Sequence, residues 1–288
     1  MRGGEKYICF LQSKCAIRLV LVDAHAHLRG CFDVAAFLEE ALSNVVREAQ
    51  SIDEKSAVTG VLCLVDPPQE QGFERLSRFV AERSRGEGAD GWSGRPTAED
   101  ASLHLRWSPN RGLIVVAGRQ VESRERLEVL SIGTRCHVES GIRVDQLIRK
   151  IDDAGGIPVL PWGVGKWFGA RGRHVWRVIE DPDLPPFCLG DSAHRPSFWP
   201  KPSYFRQAEK RGIRNLPGSD PLPLRGEAKR VGSFGLRMGG SLDPERPARD
   251  LKRKLLDPST TVDPFGRRET LLRFLRKQTL MQYRKLVQ

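Results

Sequence analysis

Two histidines placed two residues apart are the strongest chemical signal in this sequence. His25 and His27 lie in the run DAHAH at residues 23–27, directly after the apolar segment 17–22. An apolar, β-branched run of this length predicts a buried strand. Side chains at i and i+2 of an extended backbone point the same way, so both imidazoles could bind one metal ion. The alternative is that both are satisfied polar side chains at a strand end.

Further polar groups follow the other apolar runs. Asp191 and Asp220 come after the sixth and seventh runs, and their carboxylates could bind a metal or accept a proton from a bound water. Both could instead cap a helix or a turn, because Asp before Ser or Pro is common there. The candidate substrate-binding residues are Gln120, Trp162, Lys166 and Arg195. The two cations would hold an anionic group, although Lys166 also suits a solvated loop and Trp162 a packed core.

Strands and helices that would position these residues alternate along the chain. Seven apolar runs predict strands at residues 17–22, 58–65, 113–117, 127–132, 157–160, 187–190 and 213–216. Helical spacing of apolar residues predicts helices at residues 33–50, 73–83, 143–154, 174–180 and 204–211. This alternation predicts an α/β fold with a largely parallel sheet, either a closed (β/α) barrel or an open doubly wound sheet. No GxGxxG motif follows a strand, which disfavours the dinucleotide-binding version of the open sheet.

Two local features refine this pattern. The third and fourth predicted strands are too close in sequence for a crossover helix to join them. Residues 84–101 are rich in Gly, Ser, Arg and Glu and predict a surface loop, followed by a short strand at residues 103–107.

Three regions are predicted along the 288 residues. Residues 1–16 form an N-terminal extension, residues 17–240 the barrel domain, and residues 241–288 a basic helical tail. A single (β/α) barrel of about 250 residues suits this length.

Composition limits the compartment and the class of protein. The six cysteines form no CxxC pair, which favours a reducing, cytoplasmic location. The chain contains no apolar run of the length a transmembrane helix requires, and the N-terminus does not have the pattern of a signal peptide.

The net charge of +11 is concentrated near the C-terminus, where residues 225–288 hold 16 Lys or Arg against 7 Asp or Glu. A basic tail could associate with nucleic acid, although such a tail is more often a solvated face. Aromatic residues are not interleaved with these charges in a stacking pattern.

Several motifs together resemble the PHP (polymerase and histidinol phosphatase) branch of the metal-dependent hydrolase superfamily. DAHAHL at residues 23–28 looks like its first motif, and residues 116–121 with 128–133 are similar to its paired-strand motif. Residues 155–160 resemble its next strand and residues 218–220 its last. The resemblance covers residues 17–235. It implies a distorted seven-stranded (β/α) barrel of the TIM type, and hydrolysis of phosphoesters, or of amides as in the sister amidohydrolase branch, by a metal-bound hydroxide.

The chain departs from the family pattern at several metal ligands. Gln120 stands where the family has Glu, Glu128 and Trp162 stand where it has His, and Leu222 replaces the last His. The ligands that remain are His25, His27 and Asp220, with Asp191 as a candidate fourth. The resemblance therefore implies a mononuclear site for a divalent metal such as Zn, Mn or Fe.

The leading hypothesis is a metal-dependent hydrolase that acts on a small anionic substrate, a phosphoester or an amide. Asp191 or Asp220 would act as the general base. The first alternative is a catalytically degenerate barrel that binds a small anion or a protein partner, and the second is association with nucleic acid through the basic tail. The sequence does not indicate an oligomeric state.

Overall fold

The computed structural model describes residues 18–53, 57–84, 91–108 and 111–287, and the predicted extension at residues 1–16 lies outside this part of the chain. The strands are β1 (Arg18–Ala26), β2 (Ala57–Asp66), β3 (Ser93–Pro96), β4 (Ser102–Ser108), β5 (Arg111–Glu122), β6 (Glu128–Ile132), β7 (Ile157–Pro161), β8 (Cys188–Ser192), β9 (Asn215–Gly218), β10 (Phe234–Gly239) and β11 (Asp263–Gly266). The helices are α1 (Val34–Ile52), α2 (Gly72–Ser84), α3 (Val144–Asp153), α4 (Ala170–Glu180), α5 (Ser203–Lys210), α6 (Pro247–Leu256) and α7 (Leu271–Val287), with a short 3-10 helix at Glu227–Arg230.

The sheet is a nearly closed barrel. Its strands follow the order β11-β10-β1-β2-β5-β6-β7-β8-β9, and β4 and β3 branch from β5. Strands β1, β2, β5, β7, β8 and β9 run in one direction, and β6 is antiparallel to both of its neighbours. At the end of this order, β9 lies beside β1, where the Asp220 N–H donates to the His25 carbonyl over 2.7 Å. The TIM-type barrel is confirmed, and the third and fourth predicted strands, which no crossover helix joins, pair antiparallel.

Apolar side chains fill the barrel and cover its outer face. One cluster of buried residues contains inward-facing side chains of the barrel strands, among them Val20, Val22 and Ala24 of β1. A second cluster lies between the strands and helices α1 and α2, and it includes Leu19, Leu21 and Ala26 of β1. A third cluster joins α3, α4 and α5 to β6, β7 and β8.

A bulge in β1 changes which face its side chains take. Asp23 pairs with Leu62 and Ala26 with Leu64, so β1 uses one more residue than β2 across this interval. Strict alternation would group Ala26 with Val20 and Ala24, yet Ala26 packs on the outer face. The bulge therefore turns His25 and His27 from the outer series of β1 towards the barrel mouth, as bulges beside functional sites commonly do.

The region after residue 233 is more ordered than its Gly-, Pro- and Arg-rich composition suggests. Strand β10 pairs with β1, β11 pairs with β10, and Ala248, Leu251 and Leu255 of α6 belong to the barrel interior cluster. A domain boundary at residue 240 remains a prediction, and the helix just beyond it contributes to the barrel core.

The predicted loop at residues 84–101 is wrong over β3, because residues 93–96 pair with β4 in an antiparallel ladder. Backbone pairing at Gly94 and Arg95 gives this polar segment the strand conformation that its composition does not suggest. No helix in the described part of the chain combines the length and hydropathy needed to cross a membrane.

Helix α7 is attached to the barrel by ion pairs with two buried carboxylates, Glu227 and Glu269, of which Glu269 is the more buried. Glu269 accepts from Arg230 Nη1 at 2.9 Å and from Lys277 Nζ at 2.5 Å, and it is only 2% exposed. Burial raises the pKa of Glu269, but His194, Lys277 and Arg230 lower it by a larger amount. The resulting pKa is about 2. The ionised carboxylate is thus favoured by folding, and this contribution to stability is lost as the pH falls from about 4.5 towards 2.

We expect Glu269→Gln to lower the free energy of unfolding at pH 7 by about 2 kcal/mol, because this pKa shift corresponds to about 3 kcal/mol in full and solvent screening reduces it. Urea unfolding at pH 7 and near pH 2 measures it, and the gap between variant and wild type should nearly close at the lower pH. Glu245→Gln, at an exposed ion pair with Arg95, is the matched control, with an expected effect below about 1 kcal/mol. A gap that does not change with pH would contradict the assignment.

Candidate metal centre

Three ligand atoms converge where β1 and β9 meet. His25 Nε2 lies 3.0 Å from His27 Nε2, and Asp220 Oδ1 lies 3.3 Å from His27 Nε2 and 3.8 Å from His25 Nε2. Both imidazoles are buried, and the Asp220 side chain is 23% exposed. These three residues also form a group whose ligand atoms all lie within 4.8 Å of one another.

Hydrogen bonds fix the orientation of each of these groups. His27 Nδ1 lies 2.5 Å from the Val65 carbonyl of β2, which can only accept, so Nδ1 carries the proton and Nε2 keeps its lone pair. Asp220 adopts a left-handed backbone with φ of 47°, which Asp tolerates better than most residues. Its Oδ2 accepts from Ser192 Oγ at 3.2 Å, so Oδ1 is the oxygen that faces the histidines.

Asp23 holds the two barrel edges together beside the histidines. Its carboxylate accepts from His25 N at 3.2 Å, Ser219 N at 2.8 Å, Ser219 Oγ at 2.5 Å and Gly232 N at 2.8 Å. Burial raises the pKa of Asp23 to about 6, although these donors lower it. Because this pKa is still below neutral pH, the carboxylate is ionised there. Asp23 therefore acts as a clamp between β1 and the segments that follow β9, with its oxygens directed at protein donors.

The local electrostatics favour a neutral His25 imidazole beside an ionised Asp220 carboxylate. Burial, with smaller contributions from His27, Lys166 and Arg29, lowers the pKa of His25 to about 3, whereas Asp220 opposes the shift. For Asp220, burial raises the pKa, but the neighbouring His25 and His27 hold it well below its ordinary value. Deprotonated nitrogen and oxygen donors are the forms that bind a metal ion.

The three donors fit a mononuclear metal site. In a tetrahedral zinc site with bonds of about 2.0–2.1 Å, ligand atoms lie roughly 3.3 Å apart, close to the observed separations of 3.0 and 3.3 Å and somewhat below the 3.8 Å of the third pair. Two imidazoles and one carboxylate with a further open position are typical of catalytic rather than structural metal sites. His25, His27 and Asp220 could thus hold one divalent ion.

Asp191 and Arg195 lie together and bind each other. Arg195 donates to Asp191 through Nε at 2.8 Å and Nη2 at 2.6 Å, and Arg195 is 1% exposed. Arg268 also lies 3.6 Å from the Asp191 carboxylate. The two side chains are therefore already engaged with each other in this structure. A role for Asp191 as a base or metal ligand, and for Arg195 as a substrate contact, remains a prediction.

The remaining predicted residues surround the barrel mouth in different ways. Lys166 Nζ forms an ion pair with Glu128, on the antiparallel strand β6. Trp162 is buried against Trp199, with ring centroids 6.2 Å apart. Gln120 is half-buried near the end of β5. Only Lys166 combines exposure with a charge that acts on His25.

Sequence reasoning gave no role to two residues that contact Asp220. Ser192 donates to Asp220 Oδ2, and His194 Nε2 donates to the Asp220 carbonyl over 2.6 Å. Ser192 ends β8 and His194 follows it, both within three residues of Asp191, so they lie in the same strand-end segment as Asp191. Their backbone spacing does not show which side chain points to Asp220, and this information comes only from the fold.

Comparison with known proteins supports the fold. No protein-family model matches the chain, and no curated protein matches it. The crystal structure of PsfC from Pseudomonas syringae PB-5123 is similar, with a TM-score of 0.52, 15% identity, and coverage of 95% of this chain and 100% of that one. The lesion-specific endonuclease PfuEndoQ from Pyrococcus furiosus has a TM-score of 0.53 and 10% identity over 85% of this chain.

The chain spans 57% of the length of that endonuclease. Both similar structures have the PHP-like metal-dependent hydrolase fold, and at these identities the similarity concerns the fold alone. The barrel of this chain is thus similar in fold to the barrels of these two structures, as the sequence resemblance implies. The loss of family ligands inferred from the motifs remains a prediction.

Proposed function

We propose that this protein is a metal-dependent hydrolase whose single divalent ion is held by His25, His27 and Asp220. The observation that carries the proposal is the convergence of three donor atoms at the carboxyl end of the barrel strands. Such an ion, when bound, would supply Lewis acidity and lower the pKa of a bound water towards about 7.

The chain's own groups suggest an anionic substrate. Arg29 lies beside the site, donating through Nε to the Pro221 carbonyl, and both Arg29 and Lys166 add positive charge near His25. These cations would attract a phosphoester, or an amide that carries a negative group. Asp220 would accept the proton from water, since the alternative base Asp191 is engaged by Arg195.

Metal analysis of the purified protein tests the site directly. We expect about one Zn, Mn or Fe per wild-type chain, and an almost complete loss of that metal in the variant His25→Ala/His27→Ala, because two of three ligands are removed. His174→Ala, a half-buried histidine of α4, is the control and should retain the metal. Equal metal content in wild type and double variant would exclude the proposed site.

Hydrolysis is tested with panels of phosphomonoesters, phosphodiesters and amides. Wild type loaded with metal should cleave one class, and the double histidine variant should lose at least about 1000-fold in rate, because both the ion and its ligands are gone.

A second candidate is a barrel that binds an anion without catalysis. It is favoured by the pairing of Asp191 with Arg195, which removes the second carboxylate that could act as a base, while Arg29 and Lys166 keep positive charge near His25. This candidate predicts that orthophosphate binds equally to wild type and to His25→Ala/His27→Ala, and that no substrate in the panels is cleaved.

A further inference from the structure

A basic groove of about 950 Å³ lies between helix α7 and the barrel. Its walls come from α1, from the segment 224–230 that follows the metal-site loop, and from β11 with the start of α7. Nine Lys or Arg residues line it against three Glu residues. The groove thus concentrates much of the positive charge that the sequence places near the C-terminus.

Most of this charge has no acidic partner. Six exposed cations in the groove have no carboxylate oxygen within 4.0 Å among the described residues, namely Arg47, Arg225, Lys229, Arg267, Arg273 and Arg276. Like charges gathered on facing walls repel one another, so they favour a bound polyanion. Five of the six are arginines, whose planar guanidinium suits bidentate contacts with phosphate.

The floor of the groove is neutralised by buried ion pairs. Glu269 pairs with Arg230 and Lys277, and Glu227 pairs with Lys277 at 2.8 Å. The two buried carboxylates therefore do not cancel the charge of the rim. An extended anionic ligand would therefore contact the exposed cations of the rim before it reached the buried ion pairs.

Helix α7 presents its basic face to this groove. Arg273, Arg276, Lys277 and Leu280 line the groove and follow the spacing of one helix face. The most exposed leucines, Leu272 at 81% and Leu275 at 51%, do not line it. The cations thus form the inner wall of a concave channel, which suits a strand better than a flat lipid surface.

The groove begins beside the metal centre. Arg225 lies five residues after the ligand Asp220. His194, whose Nε2 donates to the Asp220 carbonyl, lies 3.8 Å from both Glu227 and Glu269 of the groove floor. A chain of phosphates in the groove would therefore approach the barrel mouth.

From these observations we propose that the groove binds the phosphate backbone of a nucleic-acid strand and leads one phosphodiester towards the metal centre. This deepens the proposed hydrolase function, on which the cleavage step rests, whereas the binding step stands on the groove alone. Few aromatic side chains line the groove, so binding is expected to depend on phosphates rather than on base sequence.

Fluorescence anisotropy with labelled single-stranded DNA and RNA of about 20 nucleotides tests the binding step on the full chain. If all six cations contact phosphates, log K should fall with log salt concentration with a slope of about −4. The variant Arg273→Glu/Arg276→Glu should bind about 10–100-fold more weakly, with a slope smaller in magnitude by about 1.4.

Two further variants distinguish the effect of the groove on binding from the effect of overall net charge and from the loss of α7. Arg149→Glu/Lys150→Glu on α3 makes the same change in net charge outside the groove and should bind nearly as wild type does. Arg225→Glu/Lys229→Glu, on the wall that does not belong to α7, should weaken binding as much as the α7 variant. Equal losses in the α3 and α7 variants, or unchanged affinity in both groove variants, would overturn the proposal.

The groove variants keep this test separate from that of the hydrolase. Wild type should bind the oligonucleotides, and the two groove variants should lose that affinity, even if no metal or hydrolysis is found in the wild type. Binding to vesicles containing phosphatidylserine, with no oligonucleotide affinity at the same ionic strength, would assign the groove to a membrane surface and overturn the proposal.

Discussion

Replacing Asp23 with alanine is expected to lower the free energy of unfolding by about 3–5 kcal/mol. The side chain accepts four hydrogen bonds, from the backbone N–H groups of His25, Ser219 and Gly232 and from the Ser219 hydroxyl. Alanine would leave these buried donors without a partner, at about 1–3 kcal/mol each before water or local movement relieves part of the cost. Chemical denaturation at pH 7 measures the effect.

The control is another aspartate whose side chain accepts a backbone hydrogen bond. Asp33 caps α1, accepting from Ala36 N at 2.9 Å in an exposed position. Asp33→Ala should therefore cost only about 1 kcal/mol. Asp23→Ala should also reduce metal content, since His25 and Ser219 are held by the same carboxylate. A loss of stability no greater than that of Asp33→Ala would show that Asp23 does not clamp the barrel.

The barrel could be predicted because its signals are local. Apolar runs flanked by Gly, Pro and Asp mark each barrel strand from β1 to β9, and the short connection between β5 and β6 indicates their antiparallel pairing. Strands β10 and β11 could not be predicted in the same way. Their sequences are short and rich in Gly, Arg and Pro, and they become strands because β1 offers an unpaired edge.

The candidate metal ligands could be predicted in part for the same reason. His25 and His27 follow a strongly apolar strand, and Asp220 follows the last predicted strand, so the carboxyl ends of the strands bring them together. The bulge that turns the histidines inward has no signal in the sequence, because it depends on how β1 pairs with β2.

The partners of charged groups were the least predictable feature. Asp191 and Arg195 were expected to act on a ligand, and spacing of four residues across a turn instead lets them bind each other. Asp66 likewise lies at the carboxyl end of β2, but its oxygens accept from Gly72 N and Phe73 N at the start of α2. Residue type and strand-end position do not distinguish a free carboxylate from one that caps a helix or pairs with an arginine.

A single methyl group at position 218 is expected to separate β9 from β1 and thereby remove the metal site. A Cβ at Gly218 would lie 2.4 Å from both the backbone nitrogen and the Cβ of His25. β1 is held by its ladder with β2, which extends to Ala26, and by its ladder with β10, which extends to Val22, whereas β9 pairs with β8 alone among the named strands. In Gly218→Ala, β9 must therefore move, and Ser219 and Asp220 move with it.

We expect Gly218→Ala to lose about 2–4 kcal/mol of stability through overpacking against the backbone. The affinity for metal should fall at least about tenfold, because Asp220 loses both its position and its N–H donation to the His25 carbonyl. Gly239→Ala is the matched control, because no atom lies within 4 Å of a Cβ at that position of β10, and it should change stability by less than about 1 kcal/mol. Metal titration and urea unfolding of both variants measure the two effects separately. Full metal affinity in Gly218→Ala would mean that Asp220 does not depend on the contact between β9 and β1, and the three-ligand site would then need another explanation for its geometry.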